Sequence, residues 1–489
     1  MEPETLPLLN KEILAVCPRS RVLVVGKVSG LALNGQRTSD EVSVQSGVGK
    51  SSLISHAFGI DIKSISHQEA GKCDINFEII SQQNPLFVLH DSMGFEHGDM
   101  ENLETAKNFL QSHVGKDVAL QTKVHVIWLC IQVPYAGGRV FETGDEEFLK
   151  LACAIKVPVV VVFTQFDMLV DSMFQDLDLP HDASEDTIEK LCNEKAERQY
   201  QELCVGPLRQ VNPELRHARS AGLGENAQPD RQALNHLIQV TRDLVEKGVE
   251  GDAWIVTAMA QRTSSQVKID GAIAVGMKRY WRGLASSTIF SGSRLIKCLD
   301  TVHEEMTDSW NFHDPDDLLL RDEFREKIKR LAQLVTPDDE KAKSLFGNTD
   351  AIKSLLGMGG PAATTAAAPV IVAIGLTAWF IKFLTDVYSK TPEALRCFMG
   401  YIIDLTLVLN ELFSVVRDNP LPQRVTNADI DKALENYNHS HLGCVHRDIR
   451  QYVRDASFWK ILQSNKAEIK VKELLNKYSS KHNQRESGS

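Results

Sequence analysis

The stretch "RVLVVGKVSGLALNGQRTSDEVSVQSGVGKSSL", residues 21–53, decides the fold of the first half of this chain. A phosphate-binding loop reads G-x-x-x-x-G-K-[ST] and follows directly on a buried strand. Here "VLVVGK" supplies the strand and the first glycine, Gly26. "SGVGKSSL" supplies the second glycine, the lysine, the hydroxyl and the start of a helix. Between the two halves lie eighteen residues, Val28 to Gln45, that the pattern does not allow. Without them the chain reads "VLVVGKSGVGKSSL", a full match.

Phosphate binding needs several backbone N–H groups aimed at one place, plus a cation. Gly47 and Gly49 free the backbone to form such a nest, and the helix starting near Lys50 adds its positive end. The candidate cradle is therefore Gly26, Lys27, Ser46, Gly47, Val48, Gly49, Lys50, Ser51 and Ser52. Lys50 is placed to reach the outer phosphates and Ser51 to hold Mg²⁺.

Three further signals follow in order. Asp91 ends the apolar run "LFVLH" and opens "DSMG". In a D-x-x-G motif the aspartate reaches Mg²⁺ through water, and Gly94 offers its N–H to the terminal phosphate. "FTQFD" places Thr164, Gln165 and Asp167 at the end of a second apolar run. A carboxylate there accepts from both N1–H and the exocyclic amine of guanine, a donor pair adenine lacks, at roughly 1.5–3 kcal/mol per charged hydrogen bond. "WIVTAMA" reads as a strand, with Thr257-Ala258 at its end in the place of an S-A loop that contacts guanine O6. The rival "RSAG" at Ser220 has no strand signal before it.

The rest of the chain sorts into two halves. From Arg21 to Thr263 short runs of branched and aromatic residues alternate with helical patterns, which predicts an α/β fold with a mostly parallel sheet and helices on both faces. Residues 168–251 break that rhythm and read as an elaborated helical insertion. Beyond Gln266 strand signals stop, and helix starts recur at "DPDDLLL", "TPDDEKAK", "TPEALRC" and "TNADIDKAL". The expected organisation is an N-terminal tail or helix over 1–20, an α/β domain over 21–263, an all-α domain over 264–480 and a disordered tail over 481–489. "VHRDIRQYV" resembles a kinase catalytic loop but lacks the following asparagine, and reads as a charged helix face.

Composition is that of an ordinary globular protein, with 43% hydrophobic and 24% charged residues. A net charge of −11 argues against general nucleic-acid binding. Nine cysteines without a C-x-x-C pair indicate neither a disulfide framework nor a zinc site. The acidic start "MEPETLPLLNKEIL" lacks a secretory pattern, so a cytoplasmic setting is expected.

The order strand–GxxxxGKS, DxxG, TQxD and TA resembles a Ras-like G domain of the P-loop NTPase class. Phrases such as "LHDSMGFE", "IWLCIQVP", "GGRVFETGDEEFLKLA" and "TPEALRCFMGYIIDLTLV" resemble a group of fungal G domain-containing proteins. More distantly the domain is similar to septin, Era-type and AIG1-type GTPases. The resemblance implies GTP or GDP as ligand, Mg²⁺ as cofactor and GTP hydrolysis as activity. Two departures qualify it. Phe95 stands where such enzymes often carry a water-orienting glutamine, leaving Glu96 as the catalytic candidate beside Lys50. No threonine occupies the switch interval "KSISHQEAGKCD", and Ser66 ranks first there as a metal ligand. Slow intrinsic hydrolysis follows, with a homodimer through the G domain as a route to activation. The alternative is a non-hydrolysing scaffold.

Residues 28–45 admit three readings. They are a looped-out surface insertion, an inactivating insertion, or a translated intron. Val28-Ser29 can be encoded by GTGAGT, Gln45 by CAG, and Ser39-Asp40 by a branch-point-like TCTGAC, so the intron reading ranks first. Any insertion at this point is expected to cut the tether to Gly26 and weaken binding. Residues 354–381, "SLLGMGGPAATTAAAPVIVAIGLTAWFI", carry no charge and are long enough to cross a bilayer. They read first as a buried helical hairpin and second as a membrane contact, which would make the protein a membrane-associated GTPase.

Overall fold

Valine, isoleucine and leucine dominate three runs, and these become the central strands. The computed structural model describes residues 9–26, 50–60, 74–93, 100–134, 138–174, 184–220, 230–285, 292–335, 392–417, 419–420, 423–455 and 466–486. They divide into an α/β unit, Ile13–Val267, and a helical unit, Lys268–Ser489 together with Met1–Glu12. The break thus falls four residues beyond the expected one, inside a helix.

In the α/β unit the strands are β1 (Ser20–Gly26), β2 (Ile79–Ser81), β3 (Asn84–Met93), β4 (Val126–Gln132), β5 (Val159–Thr164) and β6 (Arg216–Arg219), in the order β2-β3-β1-β4-β5-β6. All pairings are parallel except that of the short edge strand β2 with β3. Strands β1, β4 and β5 are buried along almost their whole length, as parallel strands covered on both faces must be.

Helices α1 (Leu9–Val16), α2 (Lys50–Phe58), α3 (Met100–His113), α4 (Thr143–Ala154), α5 (Phe166–Met173), α6 (Glu185–Tyr200), α7 (Gly206–Val211), α8 (Arg231–Gly248) and α9 (Ala253–Ala260) precede or connect the strands. On one face Leu23, Ile127, Leu129 and Phe163 pack with α3 to α7. On the other, Phe58 of α2 stacks on Phe87 at 3.6 Å, and Trp128 Nε1 donates to Thr241 Oγ1 of α8 at 3.0 Å. Residues 168–251 are therefore not an insertion: they contribute β6 to the sheet and α8 to one of its covers.

A second correction concerns "WIVTAMA". It forms α9, not a strand. All of its residues from Ile255 to Ala260 are buried, so the run is apolar on every side and carries no period to tell helix from strand. Asn84 locks its end in place by donating to Ala260 O at 2.7 Å and Phe58 O at 2.8 Å.

The helical unit comprises most of α10 (Ser265–Ala285), then α11 (Gly292–Trp310), α12 (Asp322–Gln333), α13 (Pro392–Arg417), α14 (Asn427–Tyr437), α15 (Gly443–Asp455) and α16 (Lys466–Glu486). Among its described residues there is no strand, only a bridge between His313 and Arg424. Pro392 opens α13 and Thr426 caps α14 through a capping box with Asp429, as those starts predict. "DPDDLLL" instead forms a single 3-10 turn whose N–H groups Asp314 caps, and α12 begins later at Asp322. Helix α16 continues to Glu486, so most of the expected tail is helical.

Helix α13 runs through the middle of this unit. Its segment Phe398–Arg417 is long and apolar enough to cross a membrane, yet 94% of that window is buried inside the protein. The charge-free segment 354–381 lies outside the described residues. "VHRDIRQYV" falls on α15, which carries the expected charged face in exposed Arg447 and Arg454, while His446 and Arg450 are buried on the opposite side.

Candidate functional site

The carboxyl ends of the parallel strands converge on one edge of the sheet. In open α/β sheets this edge binds ligands, at the point where successive connections run to opposite sides of the first strand. Here that point is the end of β1, which lies between β3 and β4.

Gly26 closes β1 and is paired with Met93 on one side and Cys130 on the other. A Cβ at Gly26 would lie 2.9 Å from the Cys130 carbonyl oxygen and 3.1 Å from Lys50 Cδ. No side chain fits there, so the backbone of β1 and the stem of Lys50 come into close approach. The insertion has not cut the tether: Lys50 Nζ donates to Gly26 O at 3.3 Å across the intervening chain. The same ammonium donates to Ser92 O at 3.0 Å and pairs with Asp91 Oδ1 at 3.1 Å. Gly26, Lys50 and Asp91, which the motifs single out separately, thus meet at one point.

Cys130 is a neighbour that the motifs do not name. Burial pushes its thiol up to about 12, so it stays neutral beside the Lys50–Asp91 pair and is no nucleophile. Its only sequence signal is its place near the end of "IWLCIQ", opposite the glycine.

Two strands away, Thr164 ends β5, buried, with Gln165 and Asp167 in the turn into α5. Gln165 has a left-handed backbone (φ 59°, ψ 40°). For a non-glycine residue such a conformation costs of order 1 kcal/mol and persists where neighbours enforce it. Those neighbours follow directly on β6: Ser220 N donates to Phe163 O at 2.8 Å, and Phe166 N donates to Ser220 O at 3.2 Å. The Arg219 guanidinium lies 4.1 Å above the Phe166 ring. The turn carrying Asp167 is thereby fastened to the end of β6. Asp167 itself is half-exposed in the first turn of α5.

Thr257 and Ala258 are elsewhere. Thr257 Oγ1 lies 3.0 Å from Ser20 Oγ, at the opposite end of β1 from Gly26. Both therefore lie away from the sheet edge that carries Gly26 and Asp167. Ser220 occupies the place expected for them. Its hydroxyl is buried and has no hydrogen-bond partner among the described residues. The strand before it was illegible because "RHAR" is short and carries two arginines.

Ser52 lies half-buried on the first turn of α2, where Ser51 precedes it. Lys27, Ser46, Gly47, Val48, Gly49, Ser66, Gly94 and Glu96 lie outside the described residues. Among the described residues no group of three or more metal-binding side chains gathers. The donor set nonetheless fits a nucleotide with magnesium: a glycine whose Cβ position is filled by the lysine stem, an ammonium, and a carboxylate at the adjacent strand end.

In comparison with known families, residues 318–484 match one described as a domain of unknown function (DUF8505), which covers the larger part of the helical unit. No curated protein matches the chain.

Proposed function

We propose that the α/β unit is a Ras-like G domain that binds GTP and GDP with Mg²⁺, and that it hydrolyses GTP slowly. The observation that carries this reading is the meeting of Lys50 with Gly26 and Asp91 at the carboxyl ends of β1 and β3. A lysine at a helix start, brought against a glycine strand end and a strand-end aspartate, supplies a cation for phosphate and a carboxylate for the metal. The strand order and the single antiparallel edge strand support it. Magnesium, when bound, neutralises charge on the outer phosphates, and Ser51 and Asp91 are the residues to hold it. Asp167 supplies base selectivity, with Ser220 rather than Thr257 beside it.

Hydrolysis is slow in this reading because Phe95 cannot orient water. Glu96, or a residue brought by a second copy of the chain, takes that part.

The test exploits the hydrogen-bond pattern of the base. Asp167 accepts from two guanine donors; xanthine presents one donor and one acceptor, which an asparagine matches. Competition against a fluorescent GTP analogue should rank GTP above ATP and XTP for the native chain. Asp167→Asn should reverse the order of GTP and XTP. If ATP competes as well as GTP, or if the substitution leaves the ranking unchanged, the reading is wrong.

A further inference from the structure

A guanidinium holds the turn that carries Asp167, in addition to the backbone. Arg219 is the last residue of β6, and its guanidinium carbon lies 4.1 Å from the centroid of the Phe166 ring and 5.9 Å from that of Tyr200. Its Nη1 donates to Glu197 Oε2, which makes an ion pair. Glu197 and Tyr200 stand three residues apart on α6, a spacing that puts a carboxylate and a ring on one face of a helix. Phe166 in turn meets Tyr200 edge to face at 5.7 Å. One side chain thus joins α6, the end of β6 and the residue directly before Asp167.

An exposed ion pair alone would fix little, and the side chains of Arg219 and Glu197 are 37% and 45% exposed. The ring changes the balance. Phe166 is buried, and a cation on the face of a desolvated ring is held more firmly than one in water. The turn also needs holding. Gln165 keeps a left-handed backbone, which a non-glycine residue leaves unless its surroundings enforce it. The hydrogen bonds of Ser220 grip the backbone of Phe163 and Phe166 on either side. Arg219 adds a grip on the Phe166 side chain, one peptide away from Asp167.

We infer that Arg219 is a positioning residue for base selection: through the Phe166 ring, and with Glu197 as its anchor on α6, it keeps the turn in the conformation that presents Asp167. The inference rests on the nucleotide reading above and assigns a residue that the guanine motifs do not contain. Arg219 touches no ligand in this scheme. It raises the fraction of chains whose Asp167 is ready to accept from guanine, and apparent affinity scales with that fraction. Adenine offers Asp167 no pair of donors, so affinity for an adenine nucleotide does not depend on the clamp.

The ratio of GTP to ATP affinity reads the clamp directly. It is measured on the full chain with magnesium, by competition against a fluorescent GTP analogue. Arg219→Ala and Arg219→Met should each lower the ratio about tenfold, through weaker GTP binding with ATP unchanged, the worth of a cation–π contact together with its ion pair. Arg219→Lys keeps a cation for the ring and the carboxylate, and should stay within about threefold of the native ratio. In an Asp167→Ala background Arg219→Ala should move neither affinity, because no carboxylate is left to position. A merely structural loss lowers GTP and ATP affinity together and leaves the ratio in place. Thermal melts show that each variant is folded, and Arg219→Met, which keeps the stem, serves if Arg219→Ala does not fold. If loss of the guanidinium leaves the native ratio, or if Arg219→Lys falls as far as Arg219→Met, the inference is overturned, while a native preference for GTP keeps the nucleotide reading intact. If the native chain does not prefer GTP to ATP, both are overturned.

Discussion

The Tyr437 hydroxyl donates to Asp404 Oδ1 at 2.5 Å, at a point where neither residue reaches solvent. His446 Nε2 lies 3.0 Å from both oxygens of the same carboxylate. One aspartate on α13 thus ties α14 and α15 to the central helix. Burial and the neighbouring carboxylate hold the tyrosine hydroxyl well above its ordinary pKa, so it stays a donor. Removing one member of a buried charged network strands the others. Asp404→Leu should therefore cost about 3–5 kcal/mol of stability, and Asp404→Asn, which still accepts from Tyr437, about 1–2 kcal/mol. Urea unfolding measures both. A loss below about 1 kcal/mol for Asp404→Leu would show that the three helices are held by apolar packing alone.

Gly26→Ala tests the crowding at the end of β1. The added methyl would meet the Cys130 carbonyl at 2.9 Å and the Lys50 stem at 3.1 Å. The lysine stem can move, but the backbone oxygen cannot without disturbing β4. Overpacking of this kind costs about 1–3 kcal/mol. Because Lys50 is pushed aside as well, nucleotide affinity should fall at least about tenfold, more than the stability loss alone would explain. A Gly26→Ala variant that binds as tightly as the native chain would mean that the ammonium of Lys50 does not depend on its place against β1.

The α/β unit was legible where burial on both faces forces apolar runs, as in "VLVVG", "VIWLCIQ" and "VVVVFT". It was illegible where the same cause acts on a helix. The buried stretch Ile255 to Ala260 is as uniformly apolar as a strand, and only the tertiary fit of α9 against Ser20 and Asn84 distinguishes it. The error propagated to the site, since Thr257-Ala258 displaced Ser220. The reverse failure hid β6: its four residues pair with β5 through backbone, and their arginines lie at the sheet's rim, with Arg219 on Phe166. Motif spacing alone, by contrast, singles out Asp91 and Lys50, which the structure brings to within 3.1 Å of each other. A phosphate site is built from backbone ends, and glycine and lysine mark those directly.

Three histidines carry a pH signature. Burial pushes His90, His125 and His303 each down to about 4. Their tautomers follow from geometry. His125 Nδ1 accepts from Arg21 N at 2.8 Å, and His303 Nε2 donates to the Leu319 carbonyl at 2.8 Å. An unfolded histidine protonates near 6.5, while these stay neutral until far lower. The folded state therefore binds fewer protons in that interval. Stability is fully present above pH 6.5 and is lost as pH falls from 6.5 towards 4, by roughly 3 kcal/mol per histidine once the window is crossed. Two of the three belong to the α/β unit, which should suffer more. Of the chain's fifteen histidines, these three should show no titration above pH 5 when their ring protons are followed by NMR. Ordinary titration near 6.5 by all fifteen would contradict the buried, neutral assignment.

The final prediction concerns residues 28–45. Because Lys50 already meets Gly26, the connection between them is a closed loop, and its closure is a cost of folding. Excision of the eighteen residues shortens the connection from 23 residues to five. Loop-closure entropy scales as (3/2)RT ln n, so excision should raise the unfolding free energy by about 1.3 kcal/mol. Nucleotide affinity should rise too, since a short loop presents the N–H groups of Gly47 and Gly49 with less ordering to complete. Parallel urea unfolding and GDP titration of the two chains measure the two effects. A destabilised excision variant would show that the segment makes native contacts of its own, which an intron-derived stretch has no reason to make.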